Sequence, residues 1–172
     1  MMSEKMTAAL NRQINEEYFS SYIYLAMAAY LEDNDLDGMA HWMRMQAQEE
    51  HQHAMKIFDY MIERGARVVL SEVAAPPKEW ESPLICFEAS LEHEKLMTKN
   101  INDLANLALE ERDHATNNIM QWYVSEQVEE EASVDNIVKK LKMMGADGPA
   151  LFMMDRELAS RSLPSGAQGS GA

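Results

Sequence analysis

Four glutamates occupy positions where the sequence otherwise predicts buried packing residues. Each falls in the middle of a stripe of mainly apolar residues that recur every three or four positions. The four are Glu17, Glu50, Glu94 and Glu130. His53 lies three residues after Glu50, so the two side chains share one helix face. A Glu and a His at this spacing are ligands in carboxylate-bridged di-iron and di-manganese bundles, so the pattern predicts a metal centre inside a helix bundle.

These carboxylates must reach nearly one height in the bundle to share a site. Counted at about 1.5 Å per residue from the neighbouring turns, Glu17 and Glu50 differ by roughly 7.5 Å, and Glu94 and Glu130 by less. Four buried like charges without a counter-charge would cost more free energy than a typical domain has in stability. We therefore expect cations among them. Oxygen ligands with one imidazole favour two iron or manganese ions over copper.

Each of these residues taken alone has a simpler explanation. A single glutamate in a stripe is usually a solvated edge residue, and His53 alone is more often a hydrogen-bonded core histidine than a ligand. However, glutamates interrupt the apolar stripes at one height on four different helices. A shared metal centre explains this coincidence better than a separate explanation for each residue does. The remaining histidines fall outside the stripes, and we expect them at the surface or in interfaces. They are His41, His51, His93 and His114.

Long segments without glycine or proline predict the helices that position the glutamates. Residues 6–33, 39–64, 84–112 and 115–143 are rich in Ala, Leu, Met, Glu and Gln, which favour helices. Short turns join the first pair and the second pair, whereas residues 66–83 can span the length of a bundle. The predicted fold class is all-α: a four-helix bundle with one long crossover and parallel second and third helices.

A short fifth helix is predicted at the C-terminal end. Gly148 and Pro149 are typical of a helix start, and the helix would end near Arg161. Its apolar residues need a cover, either the end of their own bundle or further copies of the chain. Residues 162–172 have no apolar period and predict a disordered tail, which leaves one domain over residues 4–161.

The composition restricts the partners. The 172 residues include 15 Lys and Arg against 29 Asp and Glu, a net charge of −14. This charge disfavours duplex nucleic acid and anionic membranes but suits cations. No apolar run is long enough for a membrane-spanning helix. The single cysteine, Cys86, excludes an internal disulfide and a rubredoxin-type iron site, and we expect a cytoplasmic protein.

Three stretches resemble the prokaryotic non-haem ferritins, and the resemblance covers residues 4–161. They are Glu16-Glu17-Tyr18, residues 48–55 (QEEHQHAM) and residues 122–131 (WYVSEQVEEE). The resemblance implies a ferritin-like bundle with a ferroxidase centre of two irons and a third iron site beside it. It implies that Glu17, Glu50 and His53 bind one iron. It implies that Glu50, Glu94 and Glu130 bind the second, with Gln127 nearby and Tyr24 beside the centre. The implied ligands of the third iron are Glu49, Glu126, Glu129 and Glu130.

The resemblance also implies an activity and an assembly. Such subunits oxidise Fe(II) with O₂ or H₂O₂ and store Fe(III) inside an octahedral homo-oligomeric shell, with the fifth helices at the four-fold axes. Haem is not expected, because His51 stands where bacterioferritins carry methionine and the fourth helix lacks a second Glu and His pair. Asn117 and Met120 replace the acidic three-fold channel residues of animal ferritins. An alternative is a di-iron redox enzyme of the peroxidase or oxygenase type without storage.

Overall fold

The computed structural model describes residues 2–145 and 148–163, which form five α-helices and, within these ranges, no strand. The helices are α1 (Glu4–Glu32), α2 (Asp37–Glu63), α3 (Pro83–Glu110), α4 (His114–Met144) and α5 (Gly148–Leu158). The all-α prediction is confirmed, although α5 ends before Arg161. The predicted tail lies outside the described residues from position 164 onward. None of the described helices combines the length and the apolarity needed to cross a bilayer.

Polar caps determine where three of the helices begin. In each case the side chain before the helix accepts a hydrogen bond from a backbone N–H three residues later, which stabilises a helix start by about 1 kcal/mol. The capping residues are Ser3, Ser82 and Asp113. Pro83 follows Ser82 at the first position of α3, where its missing N–H costs nothing.

The start of α2 is capped by a residue from α5. Leu36, at the capping position, makes no side-chain hydrogen bond, and Asp155 Oδ1 instead accepts from the Met39 N–H at 2.8 Å. This approach requires glycine at position 38, because a Cβ on Gly38 would lie 1.8 Å from the backbone oxygen of Asp155. The fifth helix is therefore docked on its own bundle.

The bundle covers only one face of α5. Met154 and Leu158 are buried in the core, whereas Phe152 is 62% and Met153 73% exposed. The sequence predicts that either the end of its own bundle or further copies of the chain bury the apolar residues of this helix. The structure shows that its own bundle buries one face. The exposed face remains available to other copies of the chain.

The crossover, residues 66–82, follows α1 along most of its length. Asn11 and Asn15 bind its backbone near its start through their side-chain amides, and Tyr30 packs against Trp80 near its end. The chain is thus returned to the end of the bundle where α2 began. As a result α2 and α3 run parallel, as the length of this connection predicts.

Two apolar clusters fill the bundle, one towards each end. The first contains Leu31, Met39, Phe87 and Ile137 and extends to α5. The second contains Leu10, Ile57, Ile101 and Met120. The middle turns of the four long helices lie between these clusters and carry buried polar residues instead.

Candidate metal centre

The middle of the bundle brings together the five residues singled out by their spacing. They are Glu17, Glu50, His53, Glu94 and Glu130, and none is more than 6% exposed. They come from all four long helices. Because apolar clusters close both ends of this region, bulk water does not compensate their charges.

Three of these residues form a compact set of ligand atoms. One ligand atom from each of Glu17, Glu50 and His53 lies within 4.8 Å of the others. His53 Nδ1 is 3.6 Å from Glu50 Oε2 and 4.0 Å from Glu17 Oε2. Gln13 Nε2 donates to Glu17 Oε1 at 2.8 Å, and the Tyr123 hydroxyl donates to the His53 backbone oxygen at 2.7 Å. These contacts hold two of the three ligands in place, as outer hydrogen bonds do around metal sites.

A second set contains His53, Glu126 and Glu130, again with ligand atoms within 4.8 Å of one another. Gln46 links the two sets, since its Nε2 donates to Glu130 Oε2 at 2.5 Å and to Glu50 Oε1 at 3.2 Å. Gln46 is fully buried, and its Oε1 is the one buried side-chain polar atom without a hydrogen-bond partner in the described part of the chain. Gln46 is not among the residues that the sequence predicts for the site, although its polar side chain also interrupts the α2 stripe.

Glu94 belongs to neither set and is held by neutral donors. The Tyr24 hydroxyl donates to Glu94 Oε1, and Gln127 Nε2 donates to Oε2 at 3.2 Å. Ser90 Oγ in turn donates to the Tyr24 oxygen at 3.1 Å. Tyr24 and Gln127 thus lie beside the centre, where the resemblance places them. Each Glu94 oxygen accepts one of these hydrogen bonds and has a second lone pair, with which it could bind an ion.

The surroundings of the buried ionisable groups shift their pKa values. Burial raises the pKa of Glu17 and of Glu94 well above the ordinary value for a glutamate, and the nearby charge of Glu50 raises both further. Burial and the charges of Glu50 and Glu49 raise the pKa of Glu130 to about 8. Burial alone would lower the pKa of His53, but the hydrogen bond and charge of Glu50 raise it to about 10.

Glu50 is the exception among the buried carboxyl groups. Burial acts to raise its pKa, but the hydrogen bond and the charge of His53, with hydrogen bonds from Glu17 and Gln46, outweigh burial and lower it. The surroundings of Glu50 and His53 thus favour an ion pair between them, whereas those of Glu17, Glu94 and Glu130 favour the protonated carboxyl group. A metal that binds here must displace these protons.

The three other carboxylates of the implied third iron site have different surroundings. Glu129 is exposed and Glu126 is half-buried. Glu49 is buried, because Arg161, from the segment after α5, covers it and forms an ion pair with it. Glu49 is therefore shielded from solvent, unlike Glu126 and Glu129.

One histidine prediction is wrong. His93 is buried, with Nε2 2.7 Å from Ser20 Oγ and its ring edge-on to Phe19 and Tyr24. The close packing of α1 and α3 buries a face wider than the stripe itself. His51 and His114 are exposed, as predicted.

Comparison with known proteins agrees with this geometry. A family model described as a ferritin-like domain matches residues 7–144. The chain belongs to the ferritin family. This ferritin is 41% identical over 162 residues to the probable bacterial non-heme ferritin-like protein of Haemophilus influenzae, covering 94% of this chain and 98% of that one. It is also 41% identical to a bacterial non-heme ferritin of Bacteroides fragilis, over 94% of this chain and all of that relative.

Solved ferritin structures are similar throughout the chain. An Archaeoglobus fulgidus ferritin engineered into a closed form is 53% identical, with a TM-score of 0.94 over 95% of this chain and 100% of that one. The novel open pore ferritin of the same archaeon is 54% identical, with a TM-score of 0.93 over 94% of this chain and 98% of that one. The resemblance to prokaryotic non-haem ferritins is therefore confirmed.

Proposed function

We propose that this ferritin oxidises Fe(II) at the bundle centre and stores the Fe(III) product inside a shell of identical subunits. The observation that carries the proposal is the burial of four carboxylates and one imidazole between two apolar clusters. Its family membership and its relatives named non-heme ferritin support the same function.

The ligand chemistry favours oxidation of bound iron. Carboxylate oxygens stabilise Fe(III) more than Fe(II), so an anionic oxygen-rich site lowers the reduction potential of the iron. Two Fe(II) ions at the centre supply two electrons, which reduce O₂ to H₂O₂ or H₂O₂ to water. The protons released from Glu17, Glu94 and Glu130 on iron binding are available to these products.

Each iron has a proposed set of ligands. Glu17, Glu50 and His53 bind the first iron, since their ligand atoms already lie within 4.8 Å of one another. Glu50, Glu94 and Glu130 bind the second, with Gln127 holding Glu94 and Tyr24 beside it as a further donor of one electron. Glu49, Glu126, Glu129 and Glu130 receive a third iron on its way to the cavity.

Exposed apolar residues support assembly into a shell. Tyr22 and Leu25 on α1 and Leu70 on the crossover are about half exposed or more, at 50%, 49% and 61%. Large apolar side chains left exposed on one chain are a feature of protein–protein interfaces when they form a patch. We propose the octahedral arrangement of 24 subunits, with the α5 helices at the four-fold axes. A cytoplasmic location remains a prediction from the single cysteine.

A di-iron redox enzyme without storage is the second candidate, and it differs in what happens to the iron. Metal-free protein should be given a large excess of Fe(II) in air, and its size and iron content should then be measured by gel filtration. We expect shell-sized particles that contain many more irons per chain than the centre can bind. Retention of only two or three irons per chain would overturn storage, and oxidation at the rate of buffer alone would overturn the ferroxidase centre.

A further inference from the structure

The segment that follows α5 returns to the candidate metal centre through one side chain. Arg161 forms an ion pair with Glu49, and its guanidinium carbon lies 4.2 Å from the centre of the Trp42 ring. Its Nη1 donates to the Trp42 backbone oxygen at 3.3 Å. His41 Nε2 donates to the Arg161 backbone oxygen at 2.8 Å. Four contacts thus hold this arginine in one position.

The carboxylate that Arg161 binds adjoins the second set of ligand atoms. Glu49 precedes Glu50 on α2, and it lies close enough to His53 and Glu126 for their charges to act on it. The charge of Glu49 acts in turn on Glu130. The side chains of Arg161 and Glu49 are only 16% and 10% exposed, so solvent screens their attraction weakly.

We propose that Arg161 is the built-in counter-cation of the third metal site and that it must leave Glu49 before a metal ion binds there. The proposal rests on the proposed function, which provides the third iron. The guanidinium donates to Glu49 Oε2, one of the two oxygens that a metal ion could bind, and its positive charge repels a divalent cation. Arg161 and a third metal therefore compete for Glu49.

This competition has a structural consequence for the C-terminal segment. The backbone contact with His41 and the contacts of the side chain with Trp42 would remain to hold residue 161 after its guanidinium has left Glu49. Occupation of the third site is therefore linked to the position of the chain after α5. Arg161 is a positioning residue, since it acts on the metal only through Glu49.

The test compares charge removal with charge retention at one position. Arg161→Gln removes the positive charge but keeps a hydrogen-bonding stem, and Arg161→Lys keeps the charge. Arg156→Gln, an exposed residue of α5, is the control for the same change in net charge. Assembled, metal-free shells of each variant should be titrated calorimetrically with Zn(II), which does not change oxidation state and accepts carboxylate and imidazole ligands.

We expect Arg161→Gln to tighten the third Zn(II) equivalent about tenfold, the size of effect that loss of a charged hydrogen bond produces. The first two equivalents should keep their affinities, and Arg161→Lys and Arg156→Gln should match the parent. The proposal about Arg161 would be overturned if the third equivalent bound to Arg161→Gln no more tightly than to the parent while the first two equivalents bound normally. That result would leave the proposed function intact. Absence of the first two equivalents from the parent protein would overturn the proposed function itself.

A crystallographic measurement gives a second readout that is independent of affinity. Crystals of the parent protein soaked in Zn(II) should show the Arg161 guanidinium displaced from Glu49 wherever a metal peak lies on that carboxylate. A peak on Glu49 with the guanidinium still bound to it would overturn the competition.

Discussion

The hydroxyl of Tyr24 on α1 donates a hydrogen bond to the carboxylate of Glu94 on α3, and both side chains are almost completely removed from solvent. Glu94 is not part of the compact ligand set formed by Glu17, Glu50 and His53. A bound ion could replace the hydrogen bonds that Glu94 accepts from the protein.

This relationship predicts a metal-dependent effect of Tyr24→Phe. We expect the metal-free variant to lose about 1–3 kcal/mol in free energy of unfolding, because a buried carboxyl group loses a hydrogen-bond partner. The loss should shrink when Zn(II) is bound, since the ion then satisfies Glu94. Chemical denaturation with and without Zn(II) measures both values, with Tyr22→Phe, half exposed on the same helix, as the control. Equal losses in the two states would show that the hydrogen bond from Tyr24 to Glu94 persists when Zn(II) is bound, which would contradict the replacement of this bond by the ion.

The double substitution Glu50→Ala and His53→Ala tests the centre as a whole. Because the two residues form an ion pair, their joint removal leaves no single buried charge uncompensated, and the bundle should remain folded. Rapid oxidation of Fe(II), followed by absorbance of the Fe(III) product, should disappear. The control is Glu92→Ala with His114→Ala, both exposed. Oxidation by the Glu50 and His53 variant at the parent rate would exclude this site.

The raised pKa of Glu130, about 8, predicts how stability depends on pH in the metal-free protein. Between the ordinary value of 4.5 and about 8, the folded chain holds this proton more tightly than the unfolded chain does. The free energy of unfolding should therefore fall as pH rises through this window, by at most a few kcal/mol from this group. Glu130→Gln should flatten the fall, whereas the exposed Glu129→Gln should retain it. Identical pH profiles for parent and Glu130→Gln would refute the assignment to Glu130.

Truncation after Met144 tests the role of α5. The shortened chain loses the Asp155 cap on α2, at a cost of about 1 kcal/mol, and exposes part of one apolar cluster. We expect the four long helices to stay folded, with helical content near the parent value by circular dichroism. Assembly or iron retention should be impaired, because the exposed face of α5 is lost. Light scattering that shows an intact shell with normal iron retention would mean that α5 serves its own subunit only.

Local sequence patterns were enough to predict the helices and most of the centre. Helix formation depends on neighbouring residues, so segments without glycine and proline give the boundaries of α1 to α4 to within two residues. The ligand positions follow from the same local period, since residues three or four apart share one face. Glu17, Glu50 and His53 therefore appear as interruptions before any contact between helices is known.

Only the tertiary structure decided the contacts between distant parts of the chain. Arg161 and Glu49 are separated by 112 positions, and no periodicity relates them. The burial of His93 and the double hydrogen bond of Gln46 depend on how far each helix is rotated about its own axis. That rotation is set by the packing of side chains against neighbouring helices. The spacing of residues along one helix carries no information about this packing.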